Sequence, residues 1–305
     1  MAHVYEQAYF GSKLVPITEA QVSVTSSAVL YGLSVYTVLP VCVTQKGLVA
    51  FRIKEHFERL VNSAKVIGID TFEPEWSLER FEKALREVVV ANKISTDVFV
   101  RVTVHVTESV AGTRSRGLAT TLSIFVYDAT PILPLAGARL KTSVWRRVSD
   151  NAIPSRAKVN GAYVNSVLAK QDALDSGYDD CIFLDATGHV CELSAANIFI
   201  VRDGTLITPG TSSDILEGIN RRTILSVAKE LGLSAVERTI DLTELYVADE
   251  VFACGTSALV TPVIEIDKRV VGKGGIGSIT AQLQVKHRQM LHGEDSSHLG
   301  LLTSI

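Results

Sequence analysis

Apolar residues are spaced with the period of an α-helix in two stretches of the first half of the chain. Between residues 54 and 68 they recur at three- and four-residue steps, which places them on one helix face. Gly68 stands where this stripe stops, and glycine commonly ends a helix. A second stripe begins after Ser77, a residue type that caps helix N-termini, and continues to about residue 92. These patterns predict two amphipathic helices.

Strands and a linker follow the two helices. Residues 97–106 and 120–127 alternate apolar and polar side chains, as half-buried strands do. Residues 128–138 contain two prolines and a glycine and show no periodicity, which is typical of a linker. The pattern therefore predicts a small N-terminal α+β domain over 1–127, a linker over 128–138 and a larger domain over 139–305.

The second half of the chain mixes short strands and helices without a regular alternation. Residues 162–176 and 219–231 have helical periodicity, and Asp241 and Glu244 have the spacing of a capping box. Turn residues separate short apolar runs, which predict strands at 181–185, 190–193, 197–201 and 250–254. Because these elements do not form a regular βαβ series, we expect an α+β fold with a hairpin-rich, barrel-like sheet.

Composition and charge narrow the classes of function. The chain has 305 residues, of which 47% are hydrophobic and 21% charged, so it can bury a large core. Its net charge is −3 and it has no block of basic residues, which argues against nucleic-acid binding. The sequence has no membrane-length apolar run, and its first residues lack a basic stretch followed by an apolar one, so we expect neither a membrane span nor a secretory leader. The four cysteines lack metal-site spacing, so we expect buried reduced thiols, a cytoplasmic location and no metal.

The clearest motif lies between Glu192 and Arg221. Residues 192–199 read Glu-Leu-Ser-Ala-Ala-Asn-Ile-Phe, Thr208 ends the next apolar run, and residues 216–221 read Leu-Glu-Gly-Ile-Asn-Arg. This arrangement resembles the signature of the class IV aminotransferases. Four further motifs fall in the order of that family, namely Tyr31-Gly32 with Ser34-Val35-Tyr36, the Phe-Arg-Ile-Lys-Glu-His-Phe-Glu-Arg-Leu stretch at 51–60, Ala-Lys-Val-Asn-Gly-Ala-Tyr at 157–163, and the segment 254–262.

The resemblance covers the chain from about residue 5 to about residue 285. It implies the two-domain architecture called fold type IV, with a small α/β domain before a larger domain that binds pyridoxal 5′-phosphate (PLP). It also implies a homodimer or a higher homo-oligomer, because related active sites include residues of the partner's small domain. The expected ligands besides PLP are an amino donor and a keto acid.

Lys158 matches the Schiff-base lysine of the family. The chemistry needs an amine that forms an imine with PLP, is displaced by the amino donor and then moves a proton between the donor and the cofactor. Burial lowers the pKa of a lysine in general and makes such proton transfers possible. By the same resemblance, Glu192 bonds the pyridine nitrogen of PLP and the Tyr163 hydroxyl bonds its phenolic oxygen.

The remaining cofactor contacts implied by the resemblance concern the phosphate and the ring of PLP. A helix beginning at Gly218 would offer free backbone N–H groups and the positive end of its dipole to a phosphate dianion. Arg59 stands where the family has its phosphate-binding arginine. The full set predicted to contact the cofactor is Arg59, Tyr163, Glu192, Asn197, Leu216, Gly218, Ile219, Asn220, Thr256 and Ser257.

The overall pattern is similar both to branched-chain and to D-amino-acid aminotransferases, and the residues expected to line the substrate pocket match neither branch completely. Tyr36-Thr37-Val38 replaces the Phe-Glu-Gly stretch of typical branched-chain enzymes, and Phe99 replaces a customary tyrosine. Arg114 lies in a glycine-containing loop that would serve as a mobile clamp on a carboxylate or as a solvated surface loop. The predicted substrate contacts are Tyr31, Tyr36, Phe99, Arg101, Arg114, Gly255 and Ser257.

The predicted function is transfer of an amino group from a branched-chain or other hydrophobic L-amino acid to 2-oxoglutarate. Two alternatives within the family are an (R)-selective amine or D-amino-acid transaminase that uses pyruvate or 2-oxoglutarate, and an aminodeoxychorismate lyase. A third is a homologue that binds PLP without turnover. The resemblance by itself leaves these alternatives open.

Overall fold

The computed structural model describes residues 2–305. The α-helices are α1 (Ser27–Leu30), α2 (Ile53–Val66), α3 (Phe72–Glu75), α4 (Leu78–Ala91), α5 (Tyr163–Asp175), α6 (Ile219–Glu230), α7 (Leu242–Leu245) and α8 (Ser278–Leu291). Short 3-10 helices cover Ile17–Glu19 and Ser296–Leu301.

Strands account for most of the remaining regular structure. They are β1 (Gln7–Phe10), β2 (Lys13–Pro16), β3 (Ser34–Thr44), β4 (Gly47–Phe51), β5 (Val98–Val106), β6 (Thr120–Asp128), β7 (Ala138–Arg146), β8 (Asp180–Leu184), β9 (Val190–Leu193), β10 (Asn197–Arg202), β11 (Thr205–Thr208), β12 (Ala235–Glu237), β13 (Glu250–Gly255), β14 (Leu259–Ile266), β15 (Arg269–Val270) and β16 (Leu302–Ser304). The mixture of helices and strands confirms the predicted α+β class.

The chain divides into two compact units. The first unit contains the described residues up to Thr130, together with Ala157–Ala162 and Met290–Ile305; the second contains Pro131–Arg156 and Tyr163–Gln289. The units are thus not the continuous segments 1–127 and 139–305 expected from the sequence. Two later stretches join the first unit because the 157–162 segment bonds to β3 and because β16 pairs with β4.

An antiparallel sheet forms the centre of the first unit. Among the described residues it has seven strands in the order β16-β4-β3-β5-β6-β1-β2. Alternate side chains of β3 and β5, such as Leu39 and Val102, face a core that also contains Leu60 of α2 and Leu85 of α4. The opposite face carries Tyr36 and the other polar and aromatic side chains considered below.

The helices of the first unit confirm the periodicity of the sequence. α2 and α4 lie where the two amphipathic stripes predicted them, and the Ser77 hydroxyl accepts a hydrogen bond from the Arg80 backbone N–H at 3.2 Å. Gly68 adopts a φ of 77°, the left-handed conformation expected of a residue that follows a helix. The two helices bury their apolar stripes against the same face of the sheet.

The sheet of the second unit closes on itself. Within residues 2–305, six strands form a ring in the order β7-β8-β9-β10-β13-β14, because β14 pairs with β7 and β9 pairs with both β8 and β10. Strands β11, β12 and β15 attach to this ring. The closed ring confirms the predicted barrel-like sheet and leaves few exposed strand edges.

Most elements predicted from periodicity are present with ends that agree within one or two residues, whereas β3 and β4 were not predicted. The run of apolar residues through β3 does not alternate, and Pro40 lies inside it. Pro40 is tolerated because β4 pairs only with residues from Val41 onwards, so that no β4 residue needs its missing N–H. The predicted capping box is also present, with Glu244 accepting from the Asp241 backbone N–H at 3.1 Å.

The buried thiols predicted from the sequence are confirmed. Cys42, Cys181, Cys191 and Cys254 are all free and buried. In the part of the chain that the structure describes, no helix combines the length and the apolar character needed to cross a membrane.

Two stacked phenylalanine rings provide a test of packing in the second unit. Phe199 and Phe252 face each other across β10 and β13, with ring centroids 5.0 Å apart and both side chains fully buried. We expect Phe252→Ala to lower the free energy of unfolding by about 3–5 kcal/mol in urea denaturation. Val247→Ala, at a position 62% exposed, serves as control and should change it by less than about 0.5 kcal/mol. An equally small effect of Phe252→Ala would contradict this role.

Candidate active site

The backbone of Lys158 is held on both sides within the first unit. Its C=O accepts a hydrogen bond from the Tyr36 N–H at 3.0 Å, and its N–H donates to the Ser63 hydroxyl, also at 3.0 Å. The following residue, Val159, forms a β-bridge with Val35. The segment 157–162 therefore lies against the beginning of β3, with the half-buried Lys158 side chain beyond it.

Two glycines allow this close approach. Gly32 adopts a φ of 65°, and a Cβ atom at that position would lie 2.9 Å from the Cα of Gly161. Such a distance is shorter than any ordinary carbon contact, so a larger residue at Gly32 would separate the two backbones. A Cβ atom on Gly161 would make a tight contact, 3.3 Å from the Gly32 carbonyl oxygen. The Tyr-Gly motif before β3 and the glycine after Lys158 thus meet a single steric requirement.

The sheet face next to Lys158 combines aromatic and cationic side chains. The Lys158 Nζ lies 4.9 Å from the centre of the Tyr36 ring, and the Arg101 Cζ lies 3.7 Å from the same ring. Arg101 also donates to the side-chain carbonyl of Asn160, which fixes its guanidinium. Phe99 points to the same face as Arg101 and packs against Tyr127 at 5.8 Å. Three predicted substrate residues, Tyr36, Phe99 and Arg101, are therefore brought together.

Tyr31 and Arg114 occupy different surroundings. Tyr31 follows α1 and its side chain is 48% exposed. Arg114 is exposed in the loop after β5, where its Nε donates to the Ala111 carbonyl at 3.2 Å. Their contacts with substrate stay predictions.

Arg59 is anchored through a buried threonine. Its Nη2 donates to the Thr37 hydroxyl at 2.9 Å, and the same hydroxyl lies 2.7 Å from the Nδ1 of the buried His56. Thr37 stands on the core face of β3, opposite to Tyr36. The threonine that departs from the Phe-Glu-Gly pattern therefore faces Arg59 and His56 rather than the side chains around Tyr36.

A histidine farther along the sheet, His105, is shifted towards its neutral form. Burial, with a smaller contribution from the positive charge of Arg101, lowers the pKa of His105 to about 4. Its Nε2 lies 2.8 Å from the Ser123 hydroxyl. His105 is consequently neutral at physiological pH and adds no charge beside Arg101.

In the second unit, Glu192 is a buried carboxylate that contacts an arginine, an amide side chain and a backbone N–H. It forms an ion pair with Arg147 at 2.9 Å and accepts hydrogen bonds from the Asn197 side chain at 3.1 Å and the Leu216 backbone N–H at 3.2 Å. A neighbouring guanidinium favours the ionised form of such a carboxylate. Arg147 was not among the predicted residues, because no motif contains it and only the folded barrel brings it to Glu192.

The start of α6 is packed closely against Asn197. Asn197 donates a second hydrogen bond to the Leu216 carbonyl at 3.0 Å, and a Cβ atom on Gly218 would lie only 2.0 Å from the Asn197 Oδ1. Gly218 is the N-cap of the helix, and Ile219 and Asn220 in its first turn are buried. Backbone N–H groups at such an end lack helical partners and attract anions.

Other predicted cofactor and substrate residues lie at the ends of elements of the second unit. Gly255 ends β13, and Thr256 and Ser257 form the turn before β14. The Ser257 carbonyl accepts from the Ile132 N–H at 3.0 Å. Tyr163 is the first residue of α5. The contacts of these residues with a cofactor stay predictions.

Comparison with known proteins identifies the family. The family described as "Amino-transferase class IV" matches residues 35–266. The chain belongs to the class IV aminotransferases. This assignment agrees with the predicted fold type IV and with PLP as the cofactor that the family uses.

Several relatives of this class IV aminotransferase match almost its whole length. A probable branched-chain-amino-acid aminotransferase of Aquifex aeolicus is 38% identical over 302 residues, which is 98% of this chain and 96% of the relative. The branched-chain aminotransferase of Thermoproteus uzoniensis, solved with norvaline, has a TM-score of 0.93 at 36% identity and covers 98% of this chain and 99% of its own. The branched-chain amino acid aminotransferase of Thermobaculum terrenum, solved in its PLP-containing holo form, has a TM-score of 0.91 at 31% identity with 98% of both chains covered.

The residues of this class IV aminotransferase suit the chemistry of PLP. A pyridine nitrogen that keeps its proton needs a buried carboxylate, and Glu192 is one. A phosphate dianion needs donors without a large side chain in front of them, and Gly218 with the buried first turn of α6 offers this. One acceptor and one group of donors therefore fit the two charged ends of the cofactor.

The glycine contact beside Lys158 can be tested with a matched pair of variants. We expect Gly32→Ala to destabilise the protein by about 1–2 kcal/mol through its left-handed backbone, and by about 1–3 kcal/mol more through its clash with Gly161. Gly11→Ala shares the first penalty only, because Gly11 has a φ of 69° and nothing within 4 Å of its Cβ position. Urea denaturation of both variants measures the difference. Equal losses would show that the close approach to Gly161 does not matter.

Proposed function

We propose that this class IV aminotransferase moves the amino group of a branched-chain or other hydrophobic L-amino acid to 2-oxoglutarate by a ping-pong mechanism. The proposal is based on similarity, over almost the whole chain, to proteins named branched-chain aminotransferases, with 38% and 36% identity in the two relatives compared above. The buried free thiols support a cytoplasmic location, where thiols stay reduced.

Lys158 is the proposed catalytic residue. PLP supplies an electron sink that stabilises negative charge at the Cα atom of the amino donor. The Lys158 Nζ supplies the amine that holds the cofactor in the resting enzyme and then moves the Cα proton. Its backbone is fixed on both sides, so that only the side chain needs to move during this transfer.

Glu192 is proposed to keep the pyridine nitrogen of the cofactor protonated. Arg147, Asn197 and the Leu216 N–H hold the carboxylate in one orientation. The Leu216 side chain is proposed to pack against the cofactor ring, and the Tyr163 hydroxyl to bond the phenolic oxygen. The phosphate contacts proposed are Arg59, the first turn of α6 with Gly218, Ile219 and Asn220, and the Thr256-Ser257 turn.

The sheet face of the first unit supports recognition of both substrates. The rings of Tyr36 and Phe99 suit an apolar donor side chain, whereas the guanidinium of Arg101 suits the carboxylate of a keto acid. Tyr31, Arg114, Gly255 and Ser257 are further proposed contacts. One pocket would thus accept an apolar and an acidic side chain in alternate half-reactions.

A second candidate function is (R)-amine or D-amino-acid transamination. It is favoured by the Tyr36-Thr37-Val38 stretch, which departs from the Phe-Glu-Gly pattern of branched-chain enzymes. Thr37 faces Arg59 and His56, however. A different residue at position 37 would therefore affect Arg59, a proposed cofactor contact, more than it would affect recognition of the amino donor. This placement weakens the argument for the second candidate.

Half-reactions with three amino donors distinguish the candidates. PLP-loaded protein is mixed separately with L-leucine, D-alanine and (R)-1-phenylethylamine, and conversion of the cofactor to its amine form is followed by absorbance. We expect the fastest conversion with L-leucine. Faster conversion with either other donor would transfer the assignment to the second candidate, and no conversion at all would favour the lyase or a protein without turnover.

The role of Lys158 is tested with Lys158→Ala in the same assay. We expect it to abolish conversion and leave the unfolding transition in place, because the segment is held by backbone bonds. Lys54→Ala, at an exposed lysine of α2, should retain wild-type conversion. Normal conversion by Lys158→Ala would remove Lys158 from the mechanism.

A homodimer is also proposed, with an apolar surface of the second unit as part of its interface. This surface lies on α5 and the end of β7 and consists of Val144, Trp145, Val164, Val167 and Leu168, all of them exposed. Exposed apolar groups of this kind commonly mark interfaces.

Sedimentation equilibrium tests the apolar surface. We expect a dimer for the wild-type protein and a shift towards monomer for Trp145→Glu, because the charge would be buried without a partner. Val236→Glu, an exposed position of β12, is the control and should stay dimeric. A wild-type monomer would exclude the homodimer, and a dimeric Trp145→Glu would place its interface elsewhere.

A further inference from the structure

Ser63 lies between two residues of the proposed site and belongs to none of the motifs found in the sequence. It stands one turn after Arg59 on α2 and is 1% exposed. Its hydroxyl donates to the Arg59 backbone carbonyl at 2.7 Å and accepts the backbone N–H of Lys158 at 3.0 Å. One small side chain therefore joins the helix that carries Arg59 to the segment that carries Lys158.

The other polar groups on this side of α2 show that the helix is itself fixed. His56, Arg59 and Ser63 are spaced by three and four residues and therefore share one face. The first two meet the Thr37 hydroxyl of β3, at 2.7 Å and 2.9 Å. Ser63 extends the same row towards residue 158. The helix thus presents a rigid hydroxyl to the lysine segment.

We propose that Ser63 is a positioning residue, which acts through the backbone of Lys158 and sets where its amine stands. The inference rests on the proposed function in taking Lys158 as the catalytic amine. The opposite side of the Lys158 peptide is held by Tyr36, so that the two bonds together leave the Nζ only the freedom of its own side chain.

Loss of the Ser63 hydroxyl would leave the Lys158 N–H without this acceptor. An N–H in this partly buried position that loses its acceptor costs free energy, and we expect the backbone at Lys158 to shift in response. Because proton transfer depends on the position of the amine to within about 1 Å, such a movement lowers the rate of the chemical step. We expect PLP binding to change less than this rate, because the other proposed cofactor contacts do not involve Ser63.

Three substitutions distinguish the effect of losing the Ser63 hydroxyl from the effect of changing the size of the side chain. Ser63→Ala removes the hydroxyl, Ser63→Cys keeps a side chain of similar size with a weak acceptor, and Ser63→Thr keeps a hydroxyl that still reaches the carbonyl four residues earlier. We expect Ala and Cys to lower kcat about tenfold with the KM for L-leucine unchanged, which corresponds to loss of one hydrogen bond. Thr is expected to restore most of the rate.

The measurement that isolates positioning is a pH titration of the holoenzyme without substrate. The absorbance of lysine-bound PLP changes as the imine nitrogen gains or loses a proton, and the midpoint reports the surroundings of the Lys158 Nζ. We expect this midpoint to shift in Ser63→Ala and Ser63→Cys and to return in Ser63→Thr. If Ser63 had only a structural role, its substitution would change the midpoint of unfolding and leave the midpoint of the pH titration unchanged.

Ser176 provides the matched control. Its hydroxyl also donates to the carbonyl four residues earlier, that of Asp172 at 2.8 Å, and accepts a hydrogen bond from the side-chain ammonium of Lys141 at 2.9 Å. It lies in an exposed position after α5. Ser176→Ala should leave kcat and the titration midpoint unchanged.

Either of two results would overturn the proposal: wild-type kcat and midpoint in folded, PLP-loaded Ser63→Ala and Ser63→Cys, or an equal shift in Ser176→Ala. The titration needs no amino donor. A wild-type protein inactive towards every donor would therefore refute the proposed function, while a shifted midpoint in the Ser63 variants would still support the positioning role.

Discussion

Backbone hydrogen bonds between β3 and the segment 157–162 are the constraint on which the proposed site depends. The Tyr36 N–H holds the Lys158 carbonyl, and the Asn160 N–H donates to the Ser34 carbonyl at 2.9 Å. Gly32 and Gly161 permit the approach because neither carries a Cβ atom. Since main-chain groups make these bonds, the lysine backbone is held without use of its side chain. The amine is left to act on a cofactor while the chain beneath it stays in place.

Charge is distributed differently in the two units, and each arrangement suits a different part of the proposed chemistry. The first unit places the amine of Lys158 and the guanidinium of Arg101 around the Tyr36 ring. The second unit buries the carboxylate of Glu192 with Arg147 as its counter-ion. Removal of one member of such a buried pair commonly costs about 3–5 kcal/mol, because the other charge is then left in a medium of low polarity. Arg147 therefore supports the barrel as well as the orientation of Glu192.

Side chains alternate along β3, so the neighbouring motif residues Tyr36 and Thr37 lie on opposite faces of the sheet. Tyr36 lies on the face with Arg101, whereas Thr37 lies on the core face with Arg59 and His56. A change at position 37 therefore affects how Arg59, the arginine proposed to bind the phosphate, is supported, and a change at position 36 affects what lies beside the Lys158 amine. The departure of this chain from the usual Phe-Glu-Gly stretch consequently says less about the amino donor than its place in the motif suggests.

Local periodicity determined a large part of the fold without reference to other residues. The stripes of α2 and α4 and the alternation in β5 and β6 follow from spacing, because each pattern reflects one face turned to a core. Turn residues between short apolar runs likewise predicted β8, β9, β10 and β13 of the barrel, whereas β7 and β14 were not predicted. The motifs likewise selected Lys158, Glu192 and the start of α6 as candidate site residues, and their contacts with a cofactor stay predictions. Tertiary structure alone decided that 157–162 joins the first unit, that Arg147 reaches Glu192 and that Ser63 holds the Lys158 N–H. These contacts join residues far apart in the chain, and no local pattern encodes which distant group a single arginine or serine will meet.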